Sequence, residues 1–267
     1  MIEADDEIDE ALTKRRLIQT REAAGVMRMQ DKIELMKLWI NHSDNIVFFG
    51  GAGVSTESGI PDFRSTDGIY HMKYAYPPET ILSHSFFISQ TKEFYEFYRD
   101  KMIYQNAMPN KTHLKLNELE KRGKLRGIVT QNIDGLHQKA GSDKVIELHG
   151  SIHRNYCMRC NQYYDLDYLQ GSSEIPYCSC GGIIKPDVIL YEEPLYPEIT
   201  AKAINLIKNA EVLIIGGTSL SVYPAAGMVD YYPGNKMILI NKDVTPYDRR
   251  ANLLINMPLG EVFSQMD

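Results

Sequence analysis

The 267-residue sequence has a single tryptophan, four cysteines and no long apolar run. No stretch approaches the roughly 18 to 20 apolar residues that a membrane-spanning helix needs, so we expect no membrane segment. The first ten residues carry six acidic side chains and no basic one, whereas a secretory leader begins with basic residues. We therefore expect a cytoplasmic protein.

Basic charge is also scarce, because 29 Lys and Arg residues stand against 35 Asp and Glu residues, for a net charge of −6. Binding to a phosphate backbone requires clustered Lys and Arg, so we expect no direct nucleic-acid partner. Apolar residues make up 43% of the chain and charged residues 24%, as in ordinary globular proteins. The length suits one large α/β domain, alone or with a smaller insert.

All four cysteines lie within 24 residues, as Cys157-x-x-Cys160 followed by Cys178-x-Cys180. In a reducing compartment such clustering indicates a metal rather than disulfides. Four thiolates close a tetrahedral shell and leave no position for water or substrate, so we expect one structural zinc ion. The second pair has one intervening residue where two are commoner.

Short, continuously apolar runs separated by helix-length stretches predict a parallel sheet that is covered on both faces. Ahead of the first run, the apolar spacing from Asp31 onward predicts an amphipathic helix. The predicted strands are residues 45–49, 127–130, 145–148, 188–191, 212–215, 237–240 and 253–255.

Two stretches interrupt this alternation. Residues 70–105 are rich in Tyr and Phe at helical spacing, and residues 152–186 contain the cysteines. We interpret both as inserts that together form a smaller module. Residues 1–28 are polar and charged, and we interpret them as a peripheral N-terminal extension.

A glycine loop, Gly50-Gly51-Ala52-Gly53, follows the first predicted strand and is predicted to open a helix. Glycine lets the backbone approach a pyrophosphate, and the free N–H groups of a helix start bind its charge. Thr56 stands where the dehydrogenase pattern has its third glycine, and no acidic residue ends a second strand about 20 residues on. The loop indicates a nucleotide but not an ordinary dehydrogenase.

The segment after the loop, Asp62-Phe63-Arg64, places a carboxylate, an aromatic ring and a guanidinium beside the nucleotide. Arg64 can pair with phosphate or ribose oxygens, and Phe63 can cover a reactive sugar carbon from water. The alternative interpretation is a proline turn with a buried Phe.

Several predicted strands end in polar residues, and in open α/β sheets ligands bind beyond the carboxyl ends of the strands. Asp134 suits either a ligand or the cap of the following helix. His149 has the near-neutral pKa of a general base, whereas the other histidines are interpreted as structural. The polar strand-end residues are Gln131, Asn132, Asp134, His149, Thr218, Ser219 and Asn241.

These motifs, in this order and spacing, closely resemble the sirtuin family over about residues 32–265. The resemblance is carried by Gly51-Ala52-Gly53-Val54-Ser55, Gly59-Ile60-Pro61-Asp62-Phe63-Arg64, Thr130-Gln131-Asn132-Ile133-Asp134, Leu148-His149-Gly150, the cysteine pairs, Lys185-Pro186-Asp187-Val188 and Gly217-Thr218-Ser219.

The resemblance implies a catalytic domain over residues 29–267, with a Rossmann-like parallel sheet as its large domain and a smaller zinc-ribbon plus helical domain. NAD and an acyl-lysine protein would enter the cleft from opposite sides. The implied reaction removes an acyl group, by default acetyl, from protein lysines and gives nicotinamide, free lysine and O-acyl-ADP-ribose. The oligomeric state stays open.

The resemblance also implies roles by position. Asp62, with Ile60, would twist the nicotinamide, Asn132 would position water or ribose, and His149 would take a proton from a ribose hydroxyl. Val188 and its neighbours would pair with the substrate backbone. The residues implied in NAD binding are Ala52, Thr56, Phe63, Arg64, Gln131, Ile133, Asp134, His149, Thr218, Ser219, Asn241 and Leu259.

Two departures from the family pattern bear on the substrate. Ile69 and Met72 stand where relatives that prefer succinyl or malonyl groups carry a Tyr and an Arg, so a neutral acyl group is favoured. Longer acyl chains stay open. Glu192 stands where many relatives have glycine.

Three other functions remain open at this point. The nearest is a related protein whose main activity is ADP-ribosyl transfer to protein. An NAD-dependent dehydrogenase with structural zinc is disfavoured by the glycine pattern. A zinc-ribbon binding module without catalysis is disfavoured by the polar strand ends.

Overall fold

The computed structural model describes residues 27–63, 75–172 and 174–266. Residues 1–26 of the predicted N-terminal extension lie outside this part of the chain. The strands are β1 (Ile46–Gly50), β2 (Leu125–Thr130), β3 (Val145–Glu147), β4 (Gly150–Cys157), β5 (Tyr163–Tyr164), β6 (Ile184–Val188), β7 (Val212–Gly216), β8 (Met237–Ile240) and β9 (Leu253–Ile255). The main sheet has the order β3-β2-β1-β7-β8-β9. All its pairings are parallel, which confirms the Rossmann-like α/β prediction.

The helices alternate with the strands of the main sheet or lie in the predicted inserts. The first confirms the amphipathic pattern, since Ile33, Met36 and Ile40 recur on one buried face. The helices are α1 (Met29–Asn41), α2 (Pro78–Ile81), α3 (His84–Ser89), α4 (Thr91–Lys101), α5 (Lys111–Lys121), α6 (Leu136–Lys139), α7 (Leu166–Gly171), α8 (Pro197–Lys208) and α9 (Leu259–Phe263).

The central strand β1 is buried on both faces. Phe48 packs into the core on the side of α1 and α5, while Val47 and Phe49 pack into the opposite core on the side of α8. Burying each Phe side chain contributes about 1.5 to 3 kcal/mol. This two-sided burial explains why β1 reads as a continuous apolar run rather than an alternating one.

The strand predicted at residues 188–191 is wrong in both its limits and its sheet. β6 ends at Val188 and belongs to a small antiparallel sheet of order β5-β4-β6. Beyond Val188 the N–H of Leu190 donates to the Glu193 carboxylate at 2.9 Å, and the N–H of Tyr191 donates to the Leu82 carbonyl at 3.0 Å. The Ile189 N–H still donates to the His149 carbonyl at 3.0 Å, just ahead of β4, but from Leu190 onward the other contacts hold the backbone.

The small sheet shares an apolar core with the aromatic helices. The buried rings of Phe87, Phe94 and Tyr95 pack edge to face with centroids 4.9 to 6.1 Å apart. The Tyr95 hydroxyl also donates to the carbonyl of Ile184 in β6. We call α2–α4, α7 and β4–β6 the small module.

In the described part of the chain, residues 27–63, 75–172 and 174–266, no helix is long and apolar enough to cross a membrane.

Candidate active site

The carboxyl ends of the main-sheet strands and the inner side of the small module enclose a cavity of about 550 Å³. Most of the predicted site residues meet in its wall. They are Ala52, Asp62, Phe63, Gln131, Asn132, Ile133, Asp134, His149, Val188, Thr218, Ser219 and Asn241.

A few predicted residues stand elsewhere. Thr56 is exposed, and its hydroxyl donates to the Gly53 carbonyl at 3.1 Å. Leu259 is buried in the core beneath the cavity wall. Arg64, Ile69 and Met72 lie outside the described residues.

The glycine loop does not open an α-helix, so that prediction is wrong. Two short 3₁₀ turns, Ala52–Val54 and Thr56–Ser58, follow β1, and Gly59 in a left-handed conformation (φ +83°) ends them. The Gly53 N–H donates to the Gly217 carbonyl at 2.8 Å, and a Cβ on Gly53 would lie 2.9 Å from the Gly217 Cα. The segments that follow β1 and β7 thus meet backbone to backbone, and the close contact leaves no room for a side chain on Gly53.

Ser55 joins two of the predicted residues, a role that its place in the loop did not indicate. Its hydroxyl donates to the Asp134 carboxylate at 2.6 Å and accepts from the Asn132 amide at 3.1 Å. The other Asp134 oxygen accepts the Leu136 N–H at 2.9 Å, at the start of α6. Asp134 therefore faces the cavity and also accepts the first N–H of α6, although Gly135 is the N-cap residue.

Gln131 presents a buried amide to the cavity. Its Oε1 accepts from the Thr218 hydroxyl at 3.2 Å, and its main-chain carbonyl contacts His149. Its Nε2 is buried and meets no acceptor among residues 27–63, 75–172 and 174–266. Because buried donors are normally satisfied, this N–H fits a ligand oxygen such as a ribose hydroxyl.

His149 lies between β3 and β4, with its Nδ1 2.9 Å from the Gln131 carbonyl oxygen. A carbonyl accepts only, so Nδ1 carries the hydrogen and Nε2 of the neutral ring holds a lone pair. Burial lowers the pKa of His149 below 6.5, and the hydrogen bond to Gln131 opposes this in part. The ring is therefore neutral at pH 7, as a general base must be.

Two other histidines are buried outside the cavity. The rings of His113 and His137 are tilted against each other with centroids 4.7 Å apart, between α5 and α6. Burial lowers the pKa of His113 to about 4 and that of His137 to about 3. Both rings are consequently neutral at pH 7.

The small module and the segments that follow α4 and β6 also contribute residues to the cavity wall, and none of these had a predicted role. The aromatic insert was the one feature of the sequence that indicated a pocket here, but it did not indicate which side chains line the pocket. These residues are Leu82, Lys101, Met102, Tyr104, Tyr191, Glu192 and Glu193.

The four cysteine sulfurs lie within 4.8 Å of one another, with several pairs at 3.5 Å. Zinc–sulfur bonds of about 2.3 Å in a tetrahedron place sulfurs about 3.8 Å apart, so the set fits one zinc ion. The Cys178-x-Cys180 pair lies in a turn in which the Gly181 N–H donates to the Cys178 carbonyl at 2.8 Å. The cysteines do not line the cavity, which is consistent with a structural ion.

Comparisons with known proteins all indicate one family. The model of the Sir2 family matches residues 51–224. The NAD-dependent protein deacetylase of Clostridium tetani (strain Massachusetts / E88) is 58% identical over 231 residues, covering 85% of this chain and 94% of that protein.

Solved structures are also similar. A structure described as Sir2 with a p53 peptide and NAD⁺ superposes with a TM-score of 0.78 at 37% identity, over 90% of this chain and 97% of that one. Sir2Tm bound to a propionylated peptide gives a TM-score of 0.77 at 37% identity, with the same coverage.

Proposed function

Because the chain belongs to the Sir2 family, we propose that it is an NAD-dependent protein-lysine deacetylase. Its products are nicotinamide, free lysine and O-acetyl-ADP-ribose. The observation that carries the proposal is the neutral His149, anchored through Nδ1 in the wall of a cavity that Gly53 and Gly217 also line. The names of the relatives and the bound peptides of the similar structures support it.

Bound NAD supplies the ADP-ribosyl group that receives the acetyl group. The glycine loop suits its pyrophosphate because Ala52, Gly53 and Gly217 line the cavity with little or no side chain, so that a ligand can approach the backbone closely. The buried Nε2 of Gln131 donates to a ribose oxygen. Thr218, Ser219 and Asn241, at the ends of β7 and β8, hold the adenosine half.

His149 acts as the general base and takes a proton from a ribose hydroxyl through Nε2. Asp62, helped by Ile60, holds the nicotinamide ring out of conjugation, and Phe63 excludes water from the sugar carbon. Asn132, fixed by Ser55, positions water or ribose. All five residues line the same cavity together with Ser55.

The acyl-lysine enters along the small module, where Val188 and its neighbours pair with the substrate backbone. Ile69 and Met72, outside the described residues, favour a neutral acyl group because neither can pair with a carboxylate. The propionylated peptide bound by Sir2Tm supports a pocket for small neutral acyl groups.

Other parts of the proposal rest on the sequence resemblance. Thr56, Arg64 and Leu259 contact NAD, and residues 29–267 form the catalytic domain behind a polar extension at 1–28. The protein transfers an acyl group to ADP-ribose in the cytoplasm.

The test is incubation of the protein with NAD and an acetyl-lysine peptide, followed by mass spectrometry. We expect nicotinamide and O-acetyl-ADP-ribose in equal amounts, with matched unacetylated and succinylated peptides giving little of either. The relatives' names do not favour ADP-ribosyl transfer. Protein labelled with ADP-ribose, without O-acetyl-ADP-ribose, would refute the proposal in favour of that alternative.

A further inference from the structure

Glu192 adopts a backbone conformation that side chains usually avoid. Its φ is +75°, in the left-handed region, where the Cβ of an ordinary residue crowds the following carbonyl. Such residues persist where surrounding contacts hold them, and they concentrate at ligand sites. Glu192 also lines the cavity. Its side chain must therefore make contacts that glycine, the strain-free residue here, would lose.

Those contacts are with the first turn of α3. The Ser85 N–H donates to one carboxylate oxygen of Glu192 at 2.9 Å, and the Ser85 hydroxyl donates to the other at 3.0 Å. An N–H in the first turn of a helix has no partner within the helix, so a carboxylate satisfies it. Glu192 thereby ties its own segment to α3.

Neighbouring contacts reinforce this tie. The carboxylate of Glu193 lies 2.8 Å from Nδ1 of His84, the first residue of α3. In the backbone, the His84 N–H donates to the Tyr191 carbonyl, and the Tyr191 N–H donates to the Leu82 carbonyl, both at 3.0 Å. We call the contacts of Glu192 and Glu193 with Ser85 and His84, together with these two backbone bonds, the wall clamp.

The wall clamp joins two stretches that both line the cavity. Leu82 lines it from the first stretch, and Tyr191 and Glu192 line it from the second. We propose that Glu192 is a positioning residue for the acyl-lysine peptide, because its contacts with Ser85 hold the Tyr191 segment in the cavity wall. This inference rests on the proposed function, in which Val188 and its neighbours pair with the peptide. Glu192 does not touch the groups that react.

The experiment compares Glu192→Gly, Glu192→Gln and Ser85→Ala in the full chain. Glu192→Gly relieves the backbone but removes the contacts, and we expect the KM for the acetyl-lysine peptide to rise about tenfold. The kcat and the KM for NAD should stay within about twofold, because a positioning residue for the peptide contributes uniform binding. Glu192→Gln keeps partners for Ser85 and should restore most of the peptide affinity, while Ser85→Ala should be intermediate.

The charge-matched control is Glu96→Gln, an exposed substitution on α4 of the same module. Thermal unfolding confirms that each variant folds, and fluorescence anisotropy with a labelled acetyl-lysine peptide measures affinity without turnover. An unchanged peptide affinity in Glu192→Gly, or an equal loss in Glu192→Gln and Glu192→Gly, overturns the inference. Wild-type protein that binds the peptide but releases no nicotinamide refutes the proposed function instead, and the anisotropy comparison still decides the role of Glu192.

Discussion

Nδ1 of His149 lies 2.9 Å from the carbonyl oxygen of Gln131, so the end of β2 fixes the ring that follows β3. The contact determines which nitrogen carries the hydrogen, and burial keeps the ring neutral. The same Gln131 turns its side chain towards Thr218 at the end of β7. The base and the proposed nucleotide contacts are thereby aligned by a single residue.

Replacing His149 with Ala should abolish deacetylation while the fold persists. Loss of a general base lowers rates by about 10² to 10⁴-fold. The measurement is O-acetyl-ADP-ribose formation at saturating NAD and peptide, with thermal unfolding to check folding. The control is His42→Ala, an exposed histidine after α1. Wild-type rates in His149→Ala would remove this residue from the mechanism.

The pH profile of kcat/KM should have an acidic limb with an apparent pKa below 6.5. Burial lowers the pKa of His149, so the neutral, proton-accepting ring is present above that value and is lost as the pH falls through it. The measurement is kcat/KM for the acetyl-lysine peptide from pH 5 to 8. A limb centred above pH 7 would contradict a buried, neutral base.

Ser55→Ala should lower kcat/KM by about 10- to 100-fold. The substitution removes the hydroxyl that joins Asn132 to Asp134 and leaves buried polar groups without a partner, at about 1 to 3 kcal/mol. Ser264→Ala, at an exposed position after α9, is the matched control. Equal activity in the two variants would show that the Ser55 contacts are dispensable.

Titration of the thiols in freshly purified protein should release one zinc ion per chain. Cys178→Ser should lose the metal and the activity, because the small module would lose the ion that joins its two cysteine pairs. A colorimetric chelator measures the zinc content of each protein, and far-UV circular dichroism shows whether its secondary structure is retained. A stoichiometry near zero in the wild-type protein would refute the zinc site.

Stability should fall as the pH drops below about 6.5, the value at which histidine titrates in the unfolded chain. His137, whose pKa in the folded protein is about 3, stays neutral while the unfolded chain takes up a proton. Each such histidine contributes about 1 kcal/mol per pH unit to this loss.

The comparison is urea unfolding of wild type, His137→Leu and the exposed His42→Leu between pH 7 and 5. His137→Leu should have the shallower dependence on pH, and His42→Leu should match wild type. Identical slopes in all three proteins would contradict the predicted linkage.

The strands of the main sheet were predictable because most of them are short, continuous runs of apolar residues in the sequence. Phe48 and Phe49 belong to a run without polar residues, and short runs of this kind are typical of parallel strands that are buried on both faces. The site was predictable where residues follow those strands directly, as Gln131 and Thr218 do. Strand order then brings them together.

The rest depended on contacts between distant segments. β4 and β6 are rich in polar residues, so their patterns did not indicate strands. Their few apolar residues are buried in a core shared with the aromatic helices, which only the folded module provides. The segment after Val188 is apolar like a strand, but Glu193 and Leu82 accept the N–H groups of Leu190 and Tyr191. Nothing local in the sequence indicates that Glu192 would take a left-handed conformation.

The small module enters the chain as excursions between strands of the main sheet. One lies between β1 and β2 and the other between β3 and β7, and neither contributes to the register in which Phe48 stands beside Ile128 and Ile214. Changes in the length of these excursions would therefore leave the pairing of the main-sheet strands intact. The part of the cavity wall at the ends of the main-sheet strands and the part beside the excursions can therefore change independently of each other.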